Sequence, residues 1–367
     1  MSKAASQRFP MRYQAAIAAA KLWAQAGGLR EVELGALEPL LWRDGPLTIA
    51  DLVRGLVTEA FRVTMTTNAS LLEQHARALK DAGLSLLRVS WHTANPQQYK
   101  LISGFGDYST FQAGLQTAAA AGLSLSFNRV LLRGHTDDIP EQIRFIERTR
   151  TRLKLYDLMW TPEIAQQYAD FYQDWRPIVR QHVLPRTIRI DRAGRTAGRQ
   201  RLLFHLSQGG AVEVKIGDNL DRTAHPCSTC AYKATCLEAF GDYVRVEPEL
   251  RAHFCYLRRD ISFDFATAVH HRSEGPAYLR AELERAVGKR TESILQSTPL
   301  RFILVPCCNY NCRLPGTNIT WCHKTTGAYS FPGRPLPPTP TPVHASKVLV
   351  ATEQAPHILA TSENTKD

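Results

Sequence analysis

The sequence predicts an α/β protein in which parallel strands, joined by helices, form a partial (β/α)6 barrel of the TIM type. Between residues 12 and 160, short apolar strands alternate with helical segments, and two of those helices stop at Gly83 and Gly122. Such alternation indicates parallel strands, because parallel neighbours need crossover connections. A sixth strand, LRFILV at 300–305, comes much later and runs directly into a group of cysteines.

Each element follows from its apolar spacing and its end signals. The predicted strands are 30–34, 61–66, 86–91, 123–131 and 153–159, and the predicted helices are 13–25, 49–57, 70–82, 108–121 and 139–150. Ser70 is the expected N-cap of the third helix. Ligands of such folds collect at the carboxyl ends of the strands, so polar residues there are the candidate site.

Composition favours a soluble, cytoplasmic protein of ordinary type. Apolar residues make up 44% of the 367 residues and charged residues 22%. No apolar run approaches the roughly 18 residues of a membrane span, and the first residues, MSKAASQRFP, are too polar for a secretory signal. No membrane association is therefore expected.

The formal net charge is +11, and basic residues are denser in 133–202 than elsewhere. Two interpretations are open: a solvated basic face, which we favour, or attraction to an anionic substrate. Nucleic-acid binding is not favoured, because no aromatic-interleaved binding motif accompanies the arginines.

The chain after residue 160 changes character several times. A mixed region at 161–260 has an aromatic-rich helical stretch, strands near 186–191, 200–206 and 211–216, and the first cysteines. A polar helical linker follows at 261–299, then the strand and second cysteine group at 300–330. The tail at 331–367 is rich in Pro, Ser and Thr, which predicts disorder.

Cysteine placement is the most informative feature. All eight cysteines lie after residue 226, in two groups. The first group is Cys227, Cys230, Cys236 and Cys255, and the second is Cys307, Cys308, Cys312 and Cys322. In a cytoplasmic protein of this size, tight groups indicate metal or iron–sulfur ligation rather than disulfides.

The second group can hold an iron–sulfur cube with one open corner. Three thiolates, from Cys308, Cys312 and Cys322, would ligate three irons of a [4Fe-4S] cluster and leave the fourth iron for a small molecule. A zinc knuckle, or thiols with no ligand, is the alternative.

A strand followed by this cysteine pattern, with Trp321 before the third cysteine, resembles the radical S-adenosylmethionine (SAM) superfamily. The resemblance implies that the open iron binds SAM and that an electron cleaves it to a 5'-deoxyadenosyl radical, which abstracts hydrogen from a small-molecule or peptide substrate. It also implies an electron donor such as flavodoxin or ferredoxin.

Residues 12–160 resemble the barrel of the molybdenum-cofactor GTP 3',8-cyclase group. Glu38 lies in EPLL where that group has GGEPLL, Asn68 ends a TTN, Ser90 ends a VS, and Asn128 begins an N-x-V segment. The resemblance implies that these four residues contact SAM.

The sequence departs from that group in three ways. Ala36 and Leu37 replace its two glycines, and nine residues, instead of two, separate Cys312 from Cys322. The cysteine strand, which comes first in the family, comes last here. We expect a circular permutation; a truncated tandem or misassembled reading frame is the alternative, and residues 313–319 are an insertion or a sequence error.

The first cysteine group resembles the auxiliary-cluster domains appended to radical SAM enzymes, of the SPASM or twitch type. Cys227, Cys230, Cys236 and Cys255 would saturate a second, auxiliary [4Fe-4S] cluster in a small α+β domain. Structural zinc is the alternative.

Three functions remain open. The leading hypothesis is a radical SAM enzyme with an unknown substrate; the second is GTP 3',8-cyclase itself. The third is a non-catalytic metal-binding scaffold, suggested by the altered glycines and the split cysteine motif.

Overall fold

The computed structural model describes residues 10–35, 38–103, 107–160, 164–193, 200–216, 225–233, 236, 243–255, 257–258, 260–271, 273–287 and 301–306. These residues belong to one compact unit. Ala36, Leu37, the second cysteine group, the 313–319 segment and the tail lie outside the described residues.

Strands and helices alternate through the first half of the chain, as the sequence predicts. The strands are β1 (Glu31–Leu34), β2 (Arg43–Asp44), β3 (Leu47–Thr48), β4 (Arg62–Thr67), β5 (Leu86–Ser90), β6 (Leu125–Val130), β7 (Arg152–Tyr156), β8 (Thr187–Ala193), β9 (Gln200–Leu206), β10 (Ala211–Ile216), β11 (Tyr243–Val246), β12 (Arg251–His253), β13 (Ser262–Asp264) and β14 (Arg301–Leu304).

The helices lie between these strands. They are α1 (Tyr13–Gln25), α2 (Ile49–Thr58), α3 (Leu72–Asp81), α4 (Pro96–Ser103), α5 (Tyr108–Ala120), α6 (Ile139–Thr149), α7 (Ala165–Phe171), α8 (Trp175–Ile178), α9 (His225–Ser228), α10 (Phe265–His270) and α11 (Gly275–Val287). Gly83 and Gly122 follow α3 and α5 at φ 87° and 72°, a left-handed conformation that glycine adopts without strain.

Twelve of the described strands form one sheet, in the order β13-β12-β11-β14-β1-β4-β5-β6-β7-β10-β9-β8. The six strands from β14 to β7 are all mutually parallel, with helices packed on one face. The other face surrounds a cavity whose lining runs from Arg301 on β14 to Arg201 on β9. The predicted α/β partial barrel is therefore confirmed.

Strand β14, late in the sequence, lies next to β1 in the sheet. It pairs in parallel with β1, with Val32 opposite Phe302 and Leu34 opposite Leu304. The backbone N–H of Gly35 donates to Leu304 O at 3.1 Å, which continues the pairing to the end of β1. The last strand of the described chain thus lies between β11 and β1.

The β14 strand is held by aromatic packing as well as by its ladder. Phe302 is 1% exposed and stacks on Trp23 of α1, with ring centroids 5.0 Å apart. Phe265 of α10 also contacts Phe302, with ring centroids 6.1 Å apart. The end of the described chain is therefore tied to its beginning through the apolar core.

The structure differs from the sequence predictions at three places: one helix cap, one helix that was not predicted, and the start of the helical linker, which does contain α10 and α11. The third helix begins at Leu72 with Leu71 as its N-cap, and Ser70 does not cap it, because the Ser70 N–H donates to Asn68 Oδ1 at 2.9 Å within the preceding turn. Helix α4, Pro96–Ser103, was not predicted, since its short polar sequence has little apolar periodicity. The linker expected to be helical from 261 begins with strand β13.

No helix within the described ranges combines the length and the apolar character that crossing a bilayer requires.

Candidate active site at the carboxyl ends of the strands

Glu38 lies just after β1 and is 5% exposed. Its Oε1 accepts hydrogen bonds from Thr67 Oγ1 at 2.8 Å and Leu40 N at 3.1 Å, and its Oε2 accepts one from Asn68 N at 2.8 Å. Burial raises the pKa of Glu38 to about 7, although these hydrogen bonds oppose the shift. Two predicted site residues, Glu38 and Asn68, are therefore joined directly.

Asn68 follows β4 in a turn that its own side chain closes. Asn68 Oδ1 accepts from Ser70 N, and Thr67 Oγ1 accepts from Ala69 N at 3.0 Å. Ala69 has φ 68°, in the left-handed region that a non-glycine residue occupies only where its surroundings compensate. The turn is thus held in one conformation at the strand end.

Ser90 and Asn128 form the second pair of predicted residues. They lie opposite each other on the parallel strands β5 and β6, and Trp91 N donates to Asn128 O at 2.8 Å. Lys154 on β7 is the next residue in the same row, opposite Asn128. Three polar residues, one on each of β5, β6 and β7, therefore form a row, and Asn68 follows β4, which is the next strand of the sheet.

A cavity of about 940 Å³ opens on the inner face of the sheet. Its lining includes the first residues of several strands, such as Glu31, Arg62 and Arg152, and extends along the sheet to Asn128 and Lys154. Two carboxylates in this lining, those of Glu33 and Glu213, form ion pairs with five cationic side chains. Glu33 has Arg301 at 3.2 Å and Arg88 at 3.8 Å. The cavity wall therefore carries an excess of positive charge.

Glu213 is the second of these carboxylates and is 4% exposed. Lys154 lies at 3.1 Å, Arg152 at 3.2 Å and Arg201 at 3.3 Å from its oxygens. Burial alone would raise the pKa of Glu213, but the charges of Lys154, Arg201 and Arg152 outweigh it and lower the pKa. Glu213 is thus a carboxylate at neutral pH.

The sequence interpretation missed this charged lining. It assigned the basic residues of 133–202 mainly to a solvated face, whereas Arg150, Arg152 and Lys154 line the cavity. The period-two alternation of the strands carries the missing signal, because Arg152 and Lys154 alternate with the buried Leu153 and Leu155.

Two further titratable side chains lie just beyond strand ends. Burial, with the nearby charge of Arg129, lowers the pKa of His92 to about 4, and His92 Nδ1 accepts from Val130 N at 3.3 Å. Burial, with the nearby charge of Asp174, raises the pKa of Asp157 to about 7. Neither residue was a sequence candidate.

The first cysteine group lies next to the barrel. Cys227 and Cys255 pack against the main apolar core, and Tyr232, between the cysteines, contacts Trp160 beyond β7 with ring centroids 6.3 Å apart. None of the four cysteines of this group, Cys227, Cys230, Cys236 and Cys255, is in a disulfide. The Tyr232 ring therefore places the loop between Cys230 and Cys236 beside the segment that follows β7.

Three of the cysteines, Cys227, Cys236 and Cys255, lie close enough to influence one another electrostatically. Burial raises the pKa of the Cys255 thiol, and the neighbouring Cys236 and Cys227 raise it further. Across the described ranges, no three His, Cys, Asp or Glu side chains have the arrangement that a single metal ion needs. A single zinc ion gathers its sulfurs on one shell of about 2.3 Å, whereas a [4Fe-4S] cube takes each thiolate at a different iron. Cysteine sulfur is a donor that both kinds of site use.

Cys308, Cys312 and Cys322 lie outside the described residues, but the strand that leads to them is described. After β14, Pro306 O accepts from Met11 N at 3.0 Å and Val305 N donates to Val246 O at 3.0 Å. Both contacts lie at the carboxyl end of β14, beside the turn from β1 toward Glu38. The chain therefore enters the predicted cluster segment at the end of the barrel that carries the candidate residues.

Comparison with known proteins concerns first the amino-terminal part of the chain. Residues 6–146 match the model of the radical SAM superfamily. The match spans the parallel strands from β1 to β6 and the helices between them, so this part of the chain is similar to a radical SAM domain.

The relatives are more specific. The chain is 28% identical over 267 residues to a protein of Rhodopseudomonas palustris (strain TIE-1) named GTP 3',8-cyclase, with 72% of each chain covered. It is 27% identical over 235 residues to a probable GTP 3',8-cyclase of Pyrococcus abyssi, covering 61% of this chain and 74% of that one. The chain is a homologue of proteins with this name.

Solved structures show weaker similarity. Coproporphyrinogen III oxidase (HemN) from Escherichia coli is 13% identical, with a TM-score of 0.33 over 47% of this chain and 45% of that one. Streptococcus suis SuiB bound to S-adenosylmethionine is 18% identical, with a TM-score of 0.34 over 40% and 34%.

Proposed function

We propose that this chain reductively cleaves SAM at a [4Fe-4S] cluster held by Cys308, Cys312 and Cys322 and abstracts hydrogen from a substrate. When bound, the cluster and SAM supply a 5'-deoxyadenosyl radical as the hydrogen-abstracting species. The match of residues 6–146 to the radical SAM model and the residues at the strand ends support this function.

The position of β14 carries the proposal. It lies parallel to β1 and ends beside the turn that leads to Glu38, so the cysteine segment begins at the same end of the sheet as Asn68, Ser90 and Asn128. Strand ends are where barrels of this kind bind their ligands. A cysteine segment attached elsewhere on the fold would not support the proposal.

We assign the four polar residues to SAM. Ser90 and Asn128, in one row, offer a hydroxyl and an amide for its carboxylate and ribose, and Asn68 offers a second amide. Glu38 positions Asn68 through the bond from Asn68 N and maintains the turn on which that side chain lies. These residues would bind and orient SAM, and no proton transfer by them is required.

The test is anaerobic reconstitution of the full chain with iron and sulfide, followed by incubation with SAM and dithionite. We expect 5'-deoxyadenosine from the wild type and none from Cys312→Ala. A wild type that binds iron but releases no 5'-deoxyadenosine would instead support the non-catalytic scaffold.

The substrate is proposed to be a small anionic molecule. The cavity wall carries five cations around Glu33 and Glu213, and an anion would neutralise their excess charge. GTP 3',8-cyclase activity is the specific candidate, because the curated relatives bear that name. Incubating the reconstituted chain with GTP, SAM and dithionite tests it: GTP consumption coupled to 5'-deoxyadenosine formation is expected.

Two further parts of the proposal concern organisation and partners. We propose that 12–160 forms the main part of the barrel, with Cys227, Cys230, Cys236 and Cys255 in 161–260 holding an auxiliary [4Fe-4S] cluster. An electron donor such as flavodoxin or ferredoxin would supply the reducing electron in place of dithionite. Iron and sulfide analysis of Cys312→Ala would reveal the auxiliary cluster alone.

A further inference from the structure

Strand β8, Thr187–Ala193, forms one edge of the twelve-stranded sheet. Among the described strands it pairs with β9 alone, and it stands last in the strand order. An edge strand presents backbone N–H and C=O groups with which a further strand can pair. Its seven residues include no proline, a residue that native edge strands use to discourage such pairing.

Two large apolar side chains of β8 are left exposed. Ile188 is 65% exposed and Ile190 is 49% exposed, whereas Phe204, which lies opposite Ile190 on β9, is 3% exposed. Residues that lie directly opposite each other in an antiparallel pair share one face of the sheet. The core that buries Phe204 therefore ends before Ile190, and an apolar surface remains beside the open edge.

The other face of β8 carries one charge of each sign. Arg189 and Asp191 lie on either side of Ile190 and, by strand alternation, on the face opposite to its side chain. Arg189 Nη2 is 3.0 Å from Asp191 Oδ2, and these side chains are 65% and 43% exposed. Each charged group is therefore still accessible to a group on another strand.

We propose that β8 pairs in antiparallel fashion with β8 of a second copy of this chain, about a twofold axis at Ile190. In this register Arg189 lies opposite the partner's Asp191, Asp191 lies opposite the partner's Arg189, and the two Ile190 side chains meet. A twofold interface requires a surface that is complementary to itself, and the order Arg-Ile-Asp meets that requirement.

Charge distinguishes this register from its neighbours. An axis at Asp191 would place two carboxylates directly opposite each other, and an axis at Arg189 would do the same with two guanidinium groups. Like charges directly opposite each other destabilise a strand pair, whereas opposite charges stabilise it. The register centred on Ile190 is therefore favoured over both.

The interface is short, because the pairing of β8 with β9 is irregular between Thr187 and Arg189. Small interfaces form weak, reversible complexes. We therefore expect a dimer whose population rises with protein concentration. This assembly does not depend on SAM or on an iron–sulfur cluster, so its test is independent of the proposed function.

Sedimentation velocity of the full chain, in the presence of a thiol reductant and over a wide range of concentration, tests the assembly. We expect Arg189→Asp to abolish the dimer, because it places two carboxylates opposite each other. The double variant Arg189→Asp, Asp191→Arg should restore the dimer, since each cross-strand pair is again complementary. Arg77→Asp, the same change at an exposed pair on α3, is the matched control and should leave the dimer unchanged.

Cross-linking tests the register. Opposite Cα atoms in antiparallel strands are about 4.5–5.5 Å apart, within the range of about 4.4–6.8 Å that a disulfide spans. Under mild oxidation, Ile190→Cys should therefore give a dimer linked at position 190, identified by mass spectrometry of the joined peptides. Leu101→Cys, at a position of α4 that is 55% exposed, is the control and should give no such link.

A wild type that stays monomeric at every concentration overturns the proposal. A dimer that survives Arg189→Asp, or one that forms no link in Ile190→Cys, also overturns it, because another surface must then hold the two copies together. Circular dichroism checks that each variant is folded. If Arg189→Asp unfolds, the double variant and the cross-link decide.

Discussion

Arg129 Nη2 lies 2.7 Å from Asp138 Oδ1, and the Arg129 side chain has no exposed surface. The pair lies on the outer side of β6 and joins three segments. Asp138 Oδ2 accepts from Thr93 Oγ1 at 2.7 Å and from Ala94 N, and Arg129 Nη1 donates to Gln142 Oε1 at 2.6 Å. These hydrogen bonds therefore connect the loops after β5 and β6 to α6, on the outer face of the sheet behind Ser90 and Asn128.

Asp138→Asn should destabilise the fold by about 3 kcal/mol or more, because it leaves the buried Arg129 charge without its carboxylate. Chemical denaturation monitored by circular dichroism measures the loss. Asp81→Asn, which breaks only the exposed pair with Arg77, should cost less than about 0.5 kcal/mol. Equal losses in the two variants would contradict the importance of the buried pair.

The contact between Arg129 and Asp138 also predicts that the protein loses stability in acid. Burial would raise the pKa of Asp138, but the hydrogen bond and charge of Arg129, with Thr93 and Ala94, outweigh it and lower the pKa. A carboxyl with a depressed folded-state pKa contributes stability above its unfolded pKa and loses it as the pH falls. The difference in unfolding free energy between wild type and Asp138→Asn should therefore shrink below about pH 4.

The titration of Glu38 should have the opposite effect, a loss of stability as the pH rises. Its pKa is raised from 4.5 to about 7 in the folded chain, so the folded state holds a proton that the unfolded state has released. Its stabilisation is complete below about pH 4.5 and is lost as the pH rises to 7, a change on the order of 3 kcal/mol. Glu38→Gln should remove that part of the pH dependence, measured as unfolding free energy from pH 4.5 to 8.

Other groups, such as Asp157, titrate in the same interval, so the informative quantity is the difference between wild type and variant. Glu31→Gln, at an exposed position of β1, is the control and should leave the pH profile unchanged. A Glu38→Gln profile parallel to that of the wild type would rule out a raised pKa for Glu38.

Local sequence patterns predicted the elements that are long or strictly alternating. Helix α1 runs from Tyr13 to Gln25 as expected, since its alanines and the following glycines leave few alternatives. The short helix α4 was missed because its stability comes from burying Tyr99 and Ile102 rather than from its own periodicity.

Only the part of the candidate site that lies in local sequence motifs could be predicted from the sequence. Glu38, Asn68, Ser90 and Asn128 lie within motifs that a linear sequence displays. Lys154 and Glu213 are 59 positions apart and meet only because β7 pairs with β10 in parallel. Such a pairing depends on tertiary topology, which the spacing of residues does not specify.

Glu213→Gln should destabilise the fold in a salt-dependent way. Removing the carboxylate leaves Arg152, Lys154 and Arg201 facing one another, but two of these side chains are partly exposed, which limits the loss to about 1–3 kcal/mol. Added salt screens their mutual repulsion. We expect the loss to be larger in 50 mM than in about 500 mM sodium chloride, where the Debye length is only several Å.

Unfolding free energies at the two salt concentrations give the result. The control is Glu59→Gln, at the exposed pair with Lys21, which should cost little in either condition. A loss that is the same at both concentrations would show that packing, and not charge, explains the effect of Glu213.

Phe302→Ala should release the predicted SAM cluster as well as destabilise the fold. Phe302 is 1% exposed, and removing its ring from the stack on Trp23 should cost about 3–5 kcal/mol. The strand that leads to Cys308 would lose its main anchor to α1, so the cluster segment should detach before the rest unfolds.

Phe127→Ala is the matched control, because Phe127 is also 1% exposed but packs against Trp91 and Phe145, away from β14. After anaerobic reconstitution at low temperature, Phe302→Ala should lack about four irons per chain relative to Phe127→Ala, since one [4Fe-4S] cluster holds that number. Equal iron content in two equally destabilised variants would mean that β14 does not carry the cluster segment to the barrel.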